Sequence, residues 1–223
     1  DKRTGDVVIR IVYDGAPEAG KTTNLRELVK VMPIQRRSEV VSPQTVGRRT
    51  EFFDWATFTG GYVDGRRLRC QLVSVPGQPS LLRRRRYLID TADAVVFVAD
   101  SRPEALDESG RAFALMREAV ARRGGAIPAG VMLQANKQDL QGSLSPEALA
   151  EALGAADVPV LGAEAVRGTG VMQTFITAAR LGTQRVKDLF GREGVYVVRD
   201  PSSSPDERLR ELEALEEELV APA

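Results

Sequence analysis

Apolar residues fall into short blocks, and amphipathic stretches separate the blocks. Val7-Val8-Ile9-Arg10-Ile11-Val12-Tyr13 is a nearly continuous apolar run of strand length, which predicts a buried strand. A glycine-bearing loop follows, then a helical pattern over residues 21–31 that Pro33 closes. Residues 35–49 are polar and have no period, so they predict a long loop; loops of that length in compact domains are usually functional or disordered. Residues 50–58 and 66–75 predict paired strands that turn near Gly60 and Gly61. Residues 94–99 form a second buried strand. Ser101 and Glu104 have capping-box spacing, with Pro103 in the first turn, so a helix is expected from there to about residue 123. A strand at 130–134, a short helix at 146–153, a strand at 158–161 and a closing helix at 171–190 complete the pattern. Strands alternating with helices predict an α/β fold, with a mostly parallel central sheet flanked by helices.

After Gly191 the character changes. Residues 194–198 are strand-like, and Pro201-Ser202-Ser203-Ser204-Pro205 reads as a linker. Leu209, Leu212, Leu215 and Leu219 then recur at helical spacing among glutamates. The expected organisation is one α/β domain over 1–191, a linker or extension over 192–205, and an acidic C-terminal helix and tail over 206–223.

Composition narrows the chemistry. Lys plus Arg and Asp plus Glu are 31 each, which argues against a nucleic-acid partner. The sequence has no histidine, so histidine general bases, Ser-His triads and histidine-ligated metals are excluded. Cys70 is the single cysteine, so no internal disulfide forms and a reducing cytoplasm is expected. No apolar run approaches the ~20 residues of a membrane-spanning helix. No secretory leader pattern precedes Val7, and no C-terminal lipidation cysteine is visible.

Two motifs carry the chemistry. Gly15-Ala16-Pro17-Glu18-Ala19-Gly20-Lys21-Thr22 fits GxxxxGK[ST], and it lies between a predicted strand and a predicted helix, as that motif requires. Backbone amides of such a loop and the following helix N-terminus attract phosphate oxygens; the lysine adds a point charge, and Thr22 offers a hydroxyl to Mg2+. Thr23 continues the helix start. The motif specifies a nucleoside triphosphate but not its base. Asn136-Lys137-Gln138-Asp139 follows a strand, at the carboxyl end of the sheet where ligands bind. The Asp139 carboxylate can accept from guanine N1–H and the exocyclic amine, a donor pair that adenine lacks. Asn136 can meet the O6/N7 side, and the Lys137 stem can cover the sugar and base. Ala165 is a third candidate, through its N–H to O6, with Val166 beside it.

The order of P-loop, NKxD and the Ala165-Val166-Arg167-Gly168-Thr169-Gly170 loop resembles the Ras superfamily of small GTPases. A narrower likeness lies in Gly20-Lys21-Thr22-Thr23-Asn24-Leu25, Arg49-Thr50-Glu51-Phe52-Phe53-Asp54, Val75-Pro76-Gly77-Gln78 and Val96-Phe97-Val98-Ala99-Asp100-Ser101. These resemble the bacterial MglA-type GTPases of gliding motility and cell polarity. The likeness spans roughly residues 7–181 and leaves out the tail. It implies a Ras-like P-loop fold, a GTP/GDP cycle with Mg2+, and regulation by a roadblock-domain GTPase-activating protein; a low intrinsic GTPase rate is expected from the residues that depart from the family pattern. It also implies polarity or motility effectors and recruitment of a cytoplasmic protein to the cell pole or inner membrane surface.

The resemblance assigns further roles. Thr50 matches the first-switch threonine that binds Mg2+, and Arg49 matches an arginine supplied in cis to the transition state. Gly77 offers its N–H to the γ-phosphate, and Gln78 orients the attacking water, so Gln78, Arg49 and Lys21 are the expected catalytic residues. Two positions depart from the Ras pattern. Ser74 stands where most relatives hold a Mg2+-associated aspartate, although MglA-type proteins also carry a short hydroxyl residue there. Pro17 stands where many have glycine, and Pro79 restricts Gln78 toward extended geometry. Asp100 reads as structural. Arg83-Arg84-Arg85-Arg86 reads as a solvated helix face or as a docking patch for an acidic partner or anionic lipid. The acidic tail is open to packing on its own domain, binding a partner, dimerising, or clamping the second switch in cis. A nucleotide-gated scaffold without turnover and a P-loop kinase are the rival readings, the latter opposed by NKxD.

Overall fold

The computed structural model describes residues 1, 4–42, 53–75, 82–122, 127–193 and 204–217. Among the described residues, six strands form one sheet in the order β2-β3-β1-β4-β5-β6. They are β1 (Val7–Asp14), β2 (Asp54–Val63), β3 (Arg66–Ser74), β4 (Ala94–Asp100), β5 (Gly130–Asn136) and β6 (Val160–Gly162). Among these described strands the β2–β3 pairing is antiparallel and the others are parallel. The helices are α1 (Lys21–Val31), α2 (Leu82–Asp90), α3 (Leu106–Arg122), α4 (Pro146–Ala152), α5 (Val171–Glu193) and α6 (Pro205–Glu217).

Alternation along β1 divides the interior. Ile9, Ile11 and Tyr13 belong to the core that α1 and α5 cover, with Leu25, Leu28, Phe175 and Ala178. Val12 belongs to the opposite core, with Leu88 and Ile89 of α2, Phe113 and Met116 of α3 and Leu149 of α4. Burial on both faces explains why the parallel strands read as unbroken apolar runs.

Several expected details differ. The β2–β3 turn lies at Asp64 and Gly65, whose φ values are 49° and 77°. Gly60 and Gly61 sit within β2, where the pairing shifts between Thr59 and Tyr62. Ser101 does not cap a helix: its hydroxyl accepts from Gln138 Nε2 at 2.7 Å, and a 3-10 turn over Pro103–Ala105 leads into α3. Gly191 lies inside α5 rather than ending it. The described start of the long polar segment leans on the sheet edge through single bridges, Arg37 to Phe58 and Val41 to Trp55.

The arginine run is divided: Arg83 and Arg86 are exposed, as a solvated face requires, and the two between them are not. Arg84 and Arg85 are buried, and Arg85 forms an ion pair with Asp14. The sequence hides this because helical periodicity cannot show that a buried carboxylate waits at the end of a distant strand.

Candidate nucleotide site

β1, β4 and β5 deliver their carboxyl ends to one edge of the sheet, and both motifs converge there. The P-loop leaves β1 at Gly15, whose φ is 146°; a Cβ there would lie 2.1 Å from the Val98 carbonyl oxygen, so only glycine lets the loop pass β4. Glu18 and Gly20 take left-handed conformations, with φ of 57° and 105°. Pro17 is half-buried and Glu18 exposed, while Ala19 is buried.

Lys21 opens α1 and folds back over its own loop. Its Nζ donates to the carbonyls of Gly15 at 3.0 Å and Ala16 at 2.6 Å. Burial lowers the ammonium pKa to about 8, Asp14 opposes that change, and Arg85 adds to it.

Thr22 meets a carboxylate that the sequence reading did not assign. Its Oγ1 donates to Asp54 Oδ2 at 2.5 Å, and Ser42 Oγ donates to Asp54 Oδ1 at 2.6 Å. Asp54 begins β2 directly opposite Ser74 of β3. The negative charge missing at Ser74 is therefore present on the neighbouring strand. Asp54 ends the Arg49–Asp54 motif, but its place opposite Ser74 depends on the register shift between Thr59 and Tyr62, which the sequence does not show. The Thr22 hydroxyl and the Asp54 carboxylate are hard oxygen donors, and they fit Mg2+. Among the described residues no three carboxylate or thiolate side chains gather into a metal cluster. A cation here would thus rest on one or two protein oxygens plus phosphate and water, which is usual for Mg2+.

Asn136 brackets the site. Its Nδ2 donates to the Ala19 carbonyl at 2.7 Å, and its Oδ1 accepts the Ala165 N–H at 3.0 Å. A Cβ on Gly20 would lie 2.2 Å from that Nδ2, so the glycine leaves room for the bracket. The Ala165 N–H, expected to meet guanine O6, is thus donated to Asn136 here. Val166 beside it is exposed.

Lys137 takes a left-handed φ of 65°, and its Nζ donates to Asp100 Oδ2 at 2.7 Å. Arg102 reaches the same carboxylate through Nε and Nη2. Burial pushes the Asp100 pKa up, but the hydrogen bonds from Arg102 and Lys137 outweigh it and hold the group at about 2. Asp100, expected to be structural, holds the lysine of the NKxD motif. Asp139 is half-buried, and its carboxylate makes no hydrogen bond or ion pair with a described residue.

A second polar layer ties these parts together. Asn24 and Gln134 exchange side-chain amide hydrogen bonds, each 2.8 Å long. Gln134 Nε2 also donates to Thr174 Oγ1 at 2.9 Å. The pair joins α1, β5 and α5 behind the pocket. Thr23, also on α1, is half-buried. Arg49, Thr50, Gly77 and Gln78 lie outside the described residues.

Comparison with known proteins follows the same lines. The sequence profile of the ADP-ribosylation factor family matches residues 3–182. The chain is 31% identical over 185 residues to the mutual gliding-motility protein MglA of Myxococcus xanthus (strain DK1622); the match spans 82% of this chain and 94% of that protein. The fold is similar to that of the Arl6 BBS3 small GTPase from Trypanosoma brucei, solved with the bound nucleotide analogue GppNp. The TM-score is 0.59 at 24% identity, covering 80% of this chain and 99% of the other.

Proposed function

The chain belongs to the ADP-ribosylation factor family of small GTPases, and on that premise we propose that it is a switch that hydrolyses GTP to GDP and phosphate, alternating between partner-binding states in bacterial polarity or motility. The observation that carries the reading is the meeting of the two motifs: Asn136 of NKxD is bonded to the P-loop at Ala19, beside a half-buried Asp139 with no described partner.

Each residue has a chemical task. Lys21 brings an ammonium to the β- and γ-phosphates, and the loop from Gly15 through Pro17, Glu18, Ala19 and Gly20 surrounds them. Thr22 and Thr50 supply hydroxyl oxygens to Mg2+, and Asp54 adds the charge that Ser74 lacks. Bound Mg2+ neutralises charge on the phosphates. Gly77 donates to the γ-phosphate, Gln78 orients water, and Arg49 stabilises the transition state in cis. Asp139 reads guanine, Lys137 covers the sugar and base, and Ala165 and Val166 close the base side. Transfer of a phosphoryl group rests on positioning and charge stabilisation, so a chain without histidine can carry it out.

The likeness to MglA supports a polarity or motility role and a cytoplasmic site of action. It also supports a roadblock-domain activating protein and recruitment by partners to the pole or inner membrane surface. No helix among the described residues is long and apolar enough to cross a membrane. The domain reading is a GTPase unit over 1–191 followed by an extension and an acidic helix.

The test is GTP turnover with Mg2+, alone and with a roadblock-domain protein, beside Gln78→Leu. Slow wild-type turnover that the partner accelerates and Gln78→Leu abolishes is expected. Tight GTP binding with no hydrolysis under any condition would replace the enzyme with a nucleotide-gated scaffold.

A further inference from the structure

A carboxylate is out of place at the foot of a phosphate site. Asp14 is the last residue of β1 and adjoins Gly15, and it is completely buried. Its charge opposes phosphate in the adjacent loop, and at low effective dielectric that repulsion is strong. Asp14 also competes for the lysine: Lys21 rests on the carbonyls of Gly15 and Ala16, the two residues after Asp14. Asp54 and Glu108 add negative potential at the same ammonium.

Among the described residues, Arg85 is the cation bonded to the Asp14 carboxylate. Arg85 Nε donates to Oδ1 at 2.6 Å, and Nη2 donates to Oδ2 at 2.8 Å. Nη2 also donates to the Ala112 carbonyl of α3 at 2.8 Å, so the guanidinium is fixed from two sides. This two-pronged arrangement is the strong geometry for arginine and carboxylate. Arg85 rides on α2, which begins four residues after Gln78. The cation that masks the P-loop carboxylate is therefore carried by the helix that follows the second switch.

We propose that Asp14 and Arg85 form a latch through which the position of α2 controls nucleotide retention. With Arg85 docked, Asp14 is neutralised and Lys21 can exchange the Gly15 and Ala16 carbonyls for phosphate. With α2 drawn away, Asp14 stands as an uncompensated anion, repels the phosphates and claims Lys21, and nucleotide leaves. A protein that promotes exchange would act by gripping α2. Arg85 is a positioning residue in this scheme, acting through Asp14 and Lys21. The inference rests on the reading of Lys21 as the phosphate-binding lysine.

A purely architectural ion pair predicts something different, and release of a fluorescent GDP analogue from the full chain separates the two. Arg85→Gln is expected to speed release at least about tenfold, because a buried charge loses its partner. Adding Asp14→Asn to Arg85→Gln is expected to bring release back to within about threefold of wild type, the coupling expected of residues that act through each other. Arg85→Lys keeps the cation but loses the fork, and should fall between wild type and Arg85→Gln. Urea unfolding of each variant establishes that it is folded; if Arg85→Gln is not, the double variant and Arg85→Lys carry the comparison. Wild-type release in Arg85→Gln, or release from the double variant as fast as from Arg85→Gln, would overturn the latch and leave the GTPase reading intact. A wild-type chain that binds no GDP would instead overturn the GTPase reading, and the latch with it.

Discussion

Lys21 shows how a site is set at the scale of one side chain. Burial holds its ammonium at about pKa 8 without phosphate, whereas bound phosphates favour the charged form and raise it. Binding therefore takes up a proton once pH exceeds about 8, so affinity for GDP should be flat from about pH 6.5 to 7.5 and fall as pH rises toward 9. Isothermal titration across that range checks the sign; affinity that rises with pH would contradict it. Asp54 is the second residue-scale test. Asp54→Asn removes the charge facing Thr22 and should raise the Mg2+ concentration needed for half-maximal nucleotide retention by about tenfold, on the scale of one charge-assisted contact. An unchanged Mg2+ requirement would place the cation elsewhere.

At the scale of elements, local signals were legible and cross-chain partners were not. The P-loop context placed α1 at Lys21–Val31, and the apolar runs located the buried strands, because sterics and periodicity are written within a few residues. The capping box at Ser101 failed because its hydroxyl found a tertiary partner in Gln138. The partnership of Asp14 with Arg85 spans 71 positions, and that of Asp54 with Ser74 depends on hairpin register; no local pattern encodes either. Asn136 was expected from the sequence to read the base, and its place as a bracket between two loops was not legible. Asn136→Ala leaves a buried Ala165 N–H without its partner and should cost about 1–3 kcal/mol in urea unfolding, together with weaker nucleotide binding. Unchanged stability would show that the bracket holds nothing.

For the whole molecule, the C-terminal helix is part of the packing. Of the alternatives left open by sequence, the structure shows packing on its own chain: Leu212 is fully buried in the core that contains Leu88 and Ile89 of α2. Arg208 lies over the Tyr87 ring and donates to its hydroxyl at 3.0 Å, and that hydroxyl donates to Glu211 at 2.7 Å. Arg10, the one charge in the apolar run of β1, lies near the same helix: burial, and next the charge of Arg208, lower its pKa to about 9, while Glu211 raises it. Leu212→Ala should destabilise the chain by about 2–5 kcal/mol in urea unfolding; a loss under about 0.5 kcal/mol, the range of an exposed position, would mean α6 is detached in solution. A guanine-reading pocket at the sheet edge is the premise of every role proposed above, and binding tests it most directly. Competition by GTP, ATP and XTP against a fluorescent GDP analogue should show GTP displacing it and ATP failing. Asp139→Asn should reverse the order of GTP and XTP, because an amide can donate to the xanthine C2 carbonyl where the carboxylate accepted from the guanine amine. Equal competition by ATP and GTP, or an Asp139→Asn variant with unchanged preference, would contradict the assignment of this site.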